Sequence, residues 1–172
     1  MSADAPSGGE DLRERVTRYL RAHHTMTIAT AGLPGDAPHA ANVFYAVDDS
    51  LRLVFLSKLT SRHAAHIGQS APVAVTVSED YTDWEQIQGV QLWGRARLLG
   101  GARKAAAMAV YLRRFPFVRE LLDQPDLAEL IRDIGVYRIE PDRAAFTDNT
   151  TGVFGREMLE LEVQRERGRQ KD

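Results

Sequence analysis

Cysteine is absent from the 172-residue chain. That absence removes disulfides, thiolate nucleophiles, iron–sulfur clusters and Cys-type zinc sites together. Long apolar runs are missing too, with no stretch near the ~20 residues a membrane-spanning helix needs. Neither sign of charge dominates: 22 Lys and Arg stand against 24 Asp and Glu, which argues against a general nucleic-acid binder. No P-loop, Gly-x-Gly-x-x-Gly fingerprint or Gly-x-Ser-x-Gly elbow occurs. Met1 to Glu10 is polar and small, with no basic stretch leading into an apolar one, and reads as a loose tail instead of a signal peptide. The expectation is a cytoplasmic protein with neither a membrane nor a nucleic acid as partner.

What is present suits one core. A chain that is 44% hydrophobic and of this length can bury a single domain, expected over residues 11–163, followed by a charged tail at 164–172. Leu12, Val16, Tyr19 and Leu20 fall at helical spacing between charges, an amphipathic helix. Short β-rich runs then alternate with turn residues: Thr25 to Ala31, His39 to Val47, Leu51 to Ser57, Ala71 to Ser78 and Ile87 to Leu99. In the last of these Val90, Leu92, Ala96 and Leu98 share one face and Gln91, Trp93, Arg95 and Arg97 the other.

Helices are expected over 62–69 and 102–114, with shorter pieces at 117–122 and 126–132. Strands return at Val136 to Ile139, Ala144 to Thr147 and Glu157 to Val163. Strands outnumber helices and neighbouring strands lie close in sequence. The fold class is therefore mainly β (α+β), an antiparallel barrel with flanking helices.

Three segments carry chemistry-bearing residues. At Phe55 to His63 an apolar strand ends in Ser57, Lys58, Thr60, Ser61 and Arg62 just where a helix begins. Free backbone N–H groups at a helix start, an Arg fork and hydroxyls suit a phosphate. Plain capping by Thr60 or Ser61, with Lys58 and Arg62 solvated, is the structural alternative. In the strand Ile87 to Leu99, Gln91 and Trp93 lie off the aliphatic stripe, and Gly89 and Gly94 leave room. An amide beside a large aromatic suits a flat heteroaromatic ring, while barrel curvature alone would also explain the glycines.

Phe146 to Arg156 is a polar, glycine-bearing turn, most simply a hairpin connection in which Asp148 and Asn149 bond their own backbone. His63 and His66 are three apart on a helix, but no acidic residue or further His lies close in sequence, so no metal site is expected.

Taken in order, the hairpin HAANVFYAVDDSLRLVFLS, the Lys58…Ser61-Arg62-His63 junction and the strand GVQLWGRARLL resemble the pyridoxamine 5′-phosphate oxidase-like FMN-binding split-barrel family. RRFP at 113–116 and FTDNTTGVFGR at 146–156 are similar to a small uncharacterised bacterial branch of it. The resemblance implies a six-stranded split β-barrel and a homodimer with FMN in two clefts at the subunit interface. It also implies a flavin-dependent oxidoreductase with a small-molecule electron donor and acceptor.

Carried over by position, Asn42, Val43 and Phe44 would run beside the isoalloxazine ring, and Leu56 and Ser57 near the ring or ribityl chain. Ser61 and Arg62, helped by Lys58, would hold the phosphate, and Gln91 would reach in from the long strand. True pyridoxamine phosphate oxidases carry an Arg-x-Val-Leu-Leu-Lys-type run where this chain has His39 to Phe44. They have a second basic residue where it has His63, and a C-terminal Arg-Leu-His-Asp-Arg motif that it lacks. Vitamin B6 oxidation is therefore not expected. Other branches of the barrel are similar to proteins that bind deazaflavin or haem, so the alternative functions are a non-catalytic flavin carrier or sensor, or a haem- or deazaflavin-binding barrel.

Overall fold

The structure, a computed structural model, describes residues 11–122, 124, 132–152 and 155–162. The expected tails at 1–10 and 164–172, most of the 126–132 helix and Val163 lie outside them. Among the described residues seven strands and four α-helices follow in chain order: α1 (Leu12–Ala22), β1 (Thr25–Thr30), β2 (His39–Val47), β3 (Leu53–Lys58), α2 (Arg62–Ile67), β4 (Ser70–Ser78), β5 (Gln88–Leu98), α3 (Gly101–Arg114), α4 (Pro116–Leu122), β6 (Ile134–Asp148) and β7 (Arg156–Glu160). All pairings are antiparallel. The order β3-β2-β1-β4-β5-β6 closes into a six-stranded ring because β3 also pairs with β6, and β7 adds to the far half of β6.

Closure depends on the length of β6. Its first half pairs with β3, its second half with β7, and β5 runs beside nearly all of it. The sequence reading of two separate strands, 136–139 and 144–147, is corrected here: they form one strand of 15 residues that runs through Pro141. Proline inside a strand reads as a break because it cannot donate to the ladder. Pro141 instead meets Gly94 where the β5–β6 register shifts, and a Cβ on Gly94 would lie 2.2 Å from the Glu140 carbonyl oxygen. The bulge tolerates the proline, and the glycine makes room for the bulge.

The barrel interior is lined by alternate strand positions, among them the expected Val90, Leu92 and Ala96. Met26, Ile28, Tyr45, Leu53, Phe55, Val75, Val90, Leu92, Tyr137 and Ile139 are all buried in one cluster. A helix closes each end. α1 inserts Val16, Tyr19 and Leu20, and the Tyr45 hydroxyl donates to the Leu20 carbonyl at 2.6 Å. Complete burial of a leucine such as Leu20 contributes about 1.5–3 kcal/mol. α2 closes the other end with Ala64 and Ile67. Outside the barrel, α3 packs Ala107 and Tyr111 onto Ala46, Val54 and Val136, which leaves the outward side of β1 and β4 as the open face.

Candidate functional site

The junction between β3 and α2 is built as a cap. Ser61 stands at the N-cap with extended backbone, and its Oγ accepts from the Ala64 N–H at 3.3 Å. Behind it, His63 is buried, and its Nε2 lies 2.7 Å from Ser57 Oγ and 3.2 Å from Ser61 Oγ. The two serine hydroxyls are 3.0 Å apart. Burial, with the nearby charges of His39 and His66, holds the His63 imidazole below its ordinary pKa. Lys58 is exposed, while Ser57 is half-buried and faces the barrel end.

Arg62 is half-exposed, and its guanidinium is paired with the Asp36 carboxylate. The other Asp36 oxygen takes His66 Nε2 at 2.8 Å, and His66 Nδ1 meets Thr30 Oγ1 at 2.8 Å. Arg62 and His66, with help from the Ala37 N–H, lower the Asp36 carboxyl to about 2. The turn Gly32 to Pro38, read from sequence only as a connection, thus delivers an anion to the one arginine expected to meet a phosphate. Asp36, Thr30 and His39 belong to this cluster and escape the sequence reading, which weighed His66 only as a metal ligand beside His63. The tertiary pairing of β1 with β2 brings them together, with Thr30 opposite His39.

The second assembly is the outward face of the sheet. Paired residues point to the same side, so the ladders place Asn42, Thr27, Thr76 and Gln91 in one row across β2, β1, β4 and β5. Ala40, Ala29, Ala74 and Trp93 form the next row. Asn42, Thr76, Gln91, Ala29 and Ala40 are exposed, and Thr27 donates to Asn42 Oδ1 at 2.6 Å. The result is a patch of small side chains with polar groups along one line. Phe44 bounds it, half-exposed and edge-on to Phe115 at 5.5 Å.

The other expected ring contacts separate. Val43 faces inward against the core, and Leu56 packs among the residues under α3. Gln91 and Asn42 share the row, but three strand spacings, about 14 Å, lie between them. Arg62 and Gln91 turn to different partners, Arg62 to Asp36 and Gln91 to Arg156.

The opposite barrel end holds a cavity of about 390 Å³ among Arg15, Tyr19, His23, Tyr81, Gln88 and Asp148. Here the polar groups answer one another. His23 Nε2 meets Glu79 at 2.8 Å, the Tyr19 hydroxyl donates to the Gln88 carbonyl at 2.9 Å, and Arg15 pairs with Asp148 and Glu157. Burial works to raise the Asp148 carboxyl, but hydrogen bonds from Thr150 and Gln88 outweigh it and hold the group below its usual value. The turn after Phe146 follows its structural reading in one half: Asp148 caps its own backbone through the Thr150 N–H, while the Asn149 amide donates to the distant Trp84 carbonyl at 2.8 Å. Among the described residues no group of three or more His, Cys, Asp or Glu is placed to hold a metal, and no helix is long and apolar enough to cross a membrane.

A closed antiparallel ring of six strands with one extra strand and helical end-caps defines a split-barrel protein. A family model described as pyridoxamine 5′-phosphate oxidase matches residues 12–148, and the chain belongs to that family. The UPF0306 protein YhbP of Salmonella paratyphi B is 40% identical over 149 residues, 86% of this chain and 92% of that protein. Among solved structures, HutZ, a haem storage protein from Vibrio cholerae, superposes with TM-score 0.62 at 16% identity, over 77% of this chain and 91% of its own. An FAD-binding protein from Mesorhizobium loti gives TM-score 0.58 at 17% identity, again over 77% and 91%. At such identities the likeness to these two is one of fold.

Proposed function

We propose that the protein binds FMN on the outward sheet face and acts as a flavin-dependent oxidoreductase, with two copies of the chain enclosing each flavin. The observation that carries this reading is the floor of Ala29, Ala40 and Ala74 beside the polar row Asn42, Thr27, Thr76 and Gln91. A planar tricycle needs a flat, small-residue surface with hydrogen-bonding groups at its edge. The 14 Å estimate between Asn42 and Gln91 is too wide for one ring to bridge within a single copy. It favours a cleft in which facing copies contribute different edges.

The donor set at the β3–α2 junction fits a phosphate by charge: Lys58 and Arg62 as cations, Ser57 and Ser61 as hydroxyls. Arg62 would exchange the Asp36 carboxylate for the phosphate, one anion for another. Bound there, FMN supplies hydride acceptance from a nicotinamide or organic donor and electron transfer to an acceptor. The chain's part is to anchor the phosphate, support the ring and hydrogen-bond its edge. No side chain on the floor is an acid or base positioned for proton transfer, so none is assigned a catalytic role.

A haem reading draws on two observations. HutZ shares the fold, and the rings of His39 and His63 lie 6.0 Å apart with His66 close by. It is the weaker one, since His63 Nε2 is engaged by Ser57 and His66 Nε2 by Asp36.

Purified protein decides between them. A yellow preparation, or quenching of added FMN fluorescence, with turnover of NADH or NADPH supports the oxidoreductase. A yellow protein without turnover leaves a flavin carrier. A colourless protein that leaves FMN fluorescence unchanged, and gives a Soret band with haemin, sinks the flavin reading.

A further inference from the structure

The turn that follows Phe146 ends on a side chain to which the FMN assignment gives no role. Arg156 opens β7 and pairs with Thr147 of β6. Its Nη2 donates to Gln91 Oε1 at 2.6 Å. Strand β6 lies between the two, so the guanidinium has to cross the line of Ala145, which pairs with Gln91 on one side and Met158 on the other. Ala145 belongs to the outward row yet is 1% exposed, as an arginine laid over it requires.

Two further features hold the arrangement. The Arg156 guanidinium lies 5.8 Å from the centre of the Trp93 ring, and Arg143 lies 4.8 Å from the same centre, within cation–π range. The turn itself is pinned: the Asp148 N–H donates to the Gly155 carbonyl at 3.0 Å. A Cβ on Gly155 would come within 2.9 Å of the Asp148 carbonyl oxygen. Gly155 thus sets the approach that starts β7 at Arg156.

The chemistry of the contact is one-sided. A guanidinium only donates, so the Gln91 atom it meets has to be the oxygen, and this decides which way the amide points. The Nε2 amine is the half left for a ligand. We infer that Arg156 is a positioning residue that holds the Gln91 amide as a hydrogen-bond donor on the outward face. The pair then selects ring edges that offer an acceptor, a carbonyl or pyridine-type nitrogen, and favours their anionic forms. The identity of the ligand rests on the FMN reading; the positioning does not.

The test uses the full chain with Arg156→Met, Arg156→Lys and Gln91→Glu. Affinities for oxidised and reduced FMN are measured by anaerobic fluorescence titration, and the side-chain amide NMR signals of Gln91 are followed in ligand-free protein. Arg156→Met should weaken reduced FMN about tenfold more than oxidised FMN, the order expected for one charge close to the ring at partly screened dielectric. Arg156→Lys should recover most of that ratio. Gln91→Glu keeps a partner for Arg156 but loses the donor, so it should weaken both forms.

An unchanged ratio in Arg156→Met, or parental affinity in Gln91→Glu, overturns the inference and leaves the FMN reading standing. A parent protein that ignores FMN sinks that reading alone. The amide signals then decide the positioning: a Gln91 signal displaced in Arg156→Met supports it, and an unmoved one overturns it.

Discussion

The two ends of the barrel are closed by the same device, a helix laid across the rim, yet they differ in what their polar groups do. At the α1 end every polar group described above has an internal partner: Arg15 with Asp148 and Glu157, His23 with Glu79, Tyr19 with Gln88 and Tyr45 with Leu20. At the α2 end a six-residue helix covers buried histidines, while Lys58 and Arg62 stand at the surface and Arg62 is paired with Asp36. A saturated network stabilises; a half-exposed cation held by a loop carboxylate can exchange its partner. The contrast separates a structural end from the end proposed to bind.

The largest expected effect lies at the structural end. Leu20→Ala empties a position that is 0% exposed and should cost about 3 kcal/mol of stability, read as a lower denaturant midpoint. FMN affinity per folded molecule should stay near that of the parent. A variant that folds as stably as the parent would erase the distinction between the ends.

Next in size, Arg62→Ala should weaken FMN by about 2 kcal/mol, roughly thirtyfold, through loss of a charge-assisted pair. Stability should barely change, because the Arg62–Asp36 pair is substantially exposed and such pairs contribute little. A fluorescence titration against a melting curve separates the two quantities. Equal affinity in parent and variant would remove the phosphate anchor from the proposed binding end.

A smaller effect is pH-dependent. Burial depresses the His63 pKa below 6.5, so the neutral ring favours the folded state. That contribution is complete above pH 6.5 and is lost as pH falls from there through the lower folded value. The melting temperature should therefore drop on acidification over that window, and His63→Gln should flatten the slope. A slope that His63→Gln leaves intact would assign the acid sensitivity elsewhere.

The smallest is the loop carboxylate. Asp36→Asn removes the competing anion and should tighten FMN a few-fold, measured by the same titration. Weaker binding would mean that Asp36 orients Arg62 instead of competing for it.

Much of this was legible in the chain. β-rich runs between turn residues marked the strands, and alternation in Ile87 to Leu99 marked its inward face, because a period of two leaves little freedom once one side is buried. The candidate residues Ser61, Arg62 and Gln91 could be picked out because each sits at an element boundary or on a polar face. Pro141 misled, since a proline that falls at a bulge looks locally like one that ends a strand. Phe146 to Arg156 could be read as a turn, but the turn says nothing about where its last side chain reaches.

Local chemistry is written along the chain: which segments coil, which extend, which face is apolar, where a helix starts. Partners distant in sequence are not. Asp36 meets Arg62 across 26 residues and Arg156 meets Gln91 across 65. Those meetings follow from strand register and from the bulge at Gly94, which depend on the whole ring closing at once. A side chain's type is a local property, whereas its charge partner and its accessible hydrogen-bonding half are properties of the closed barrel.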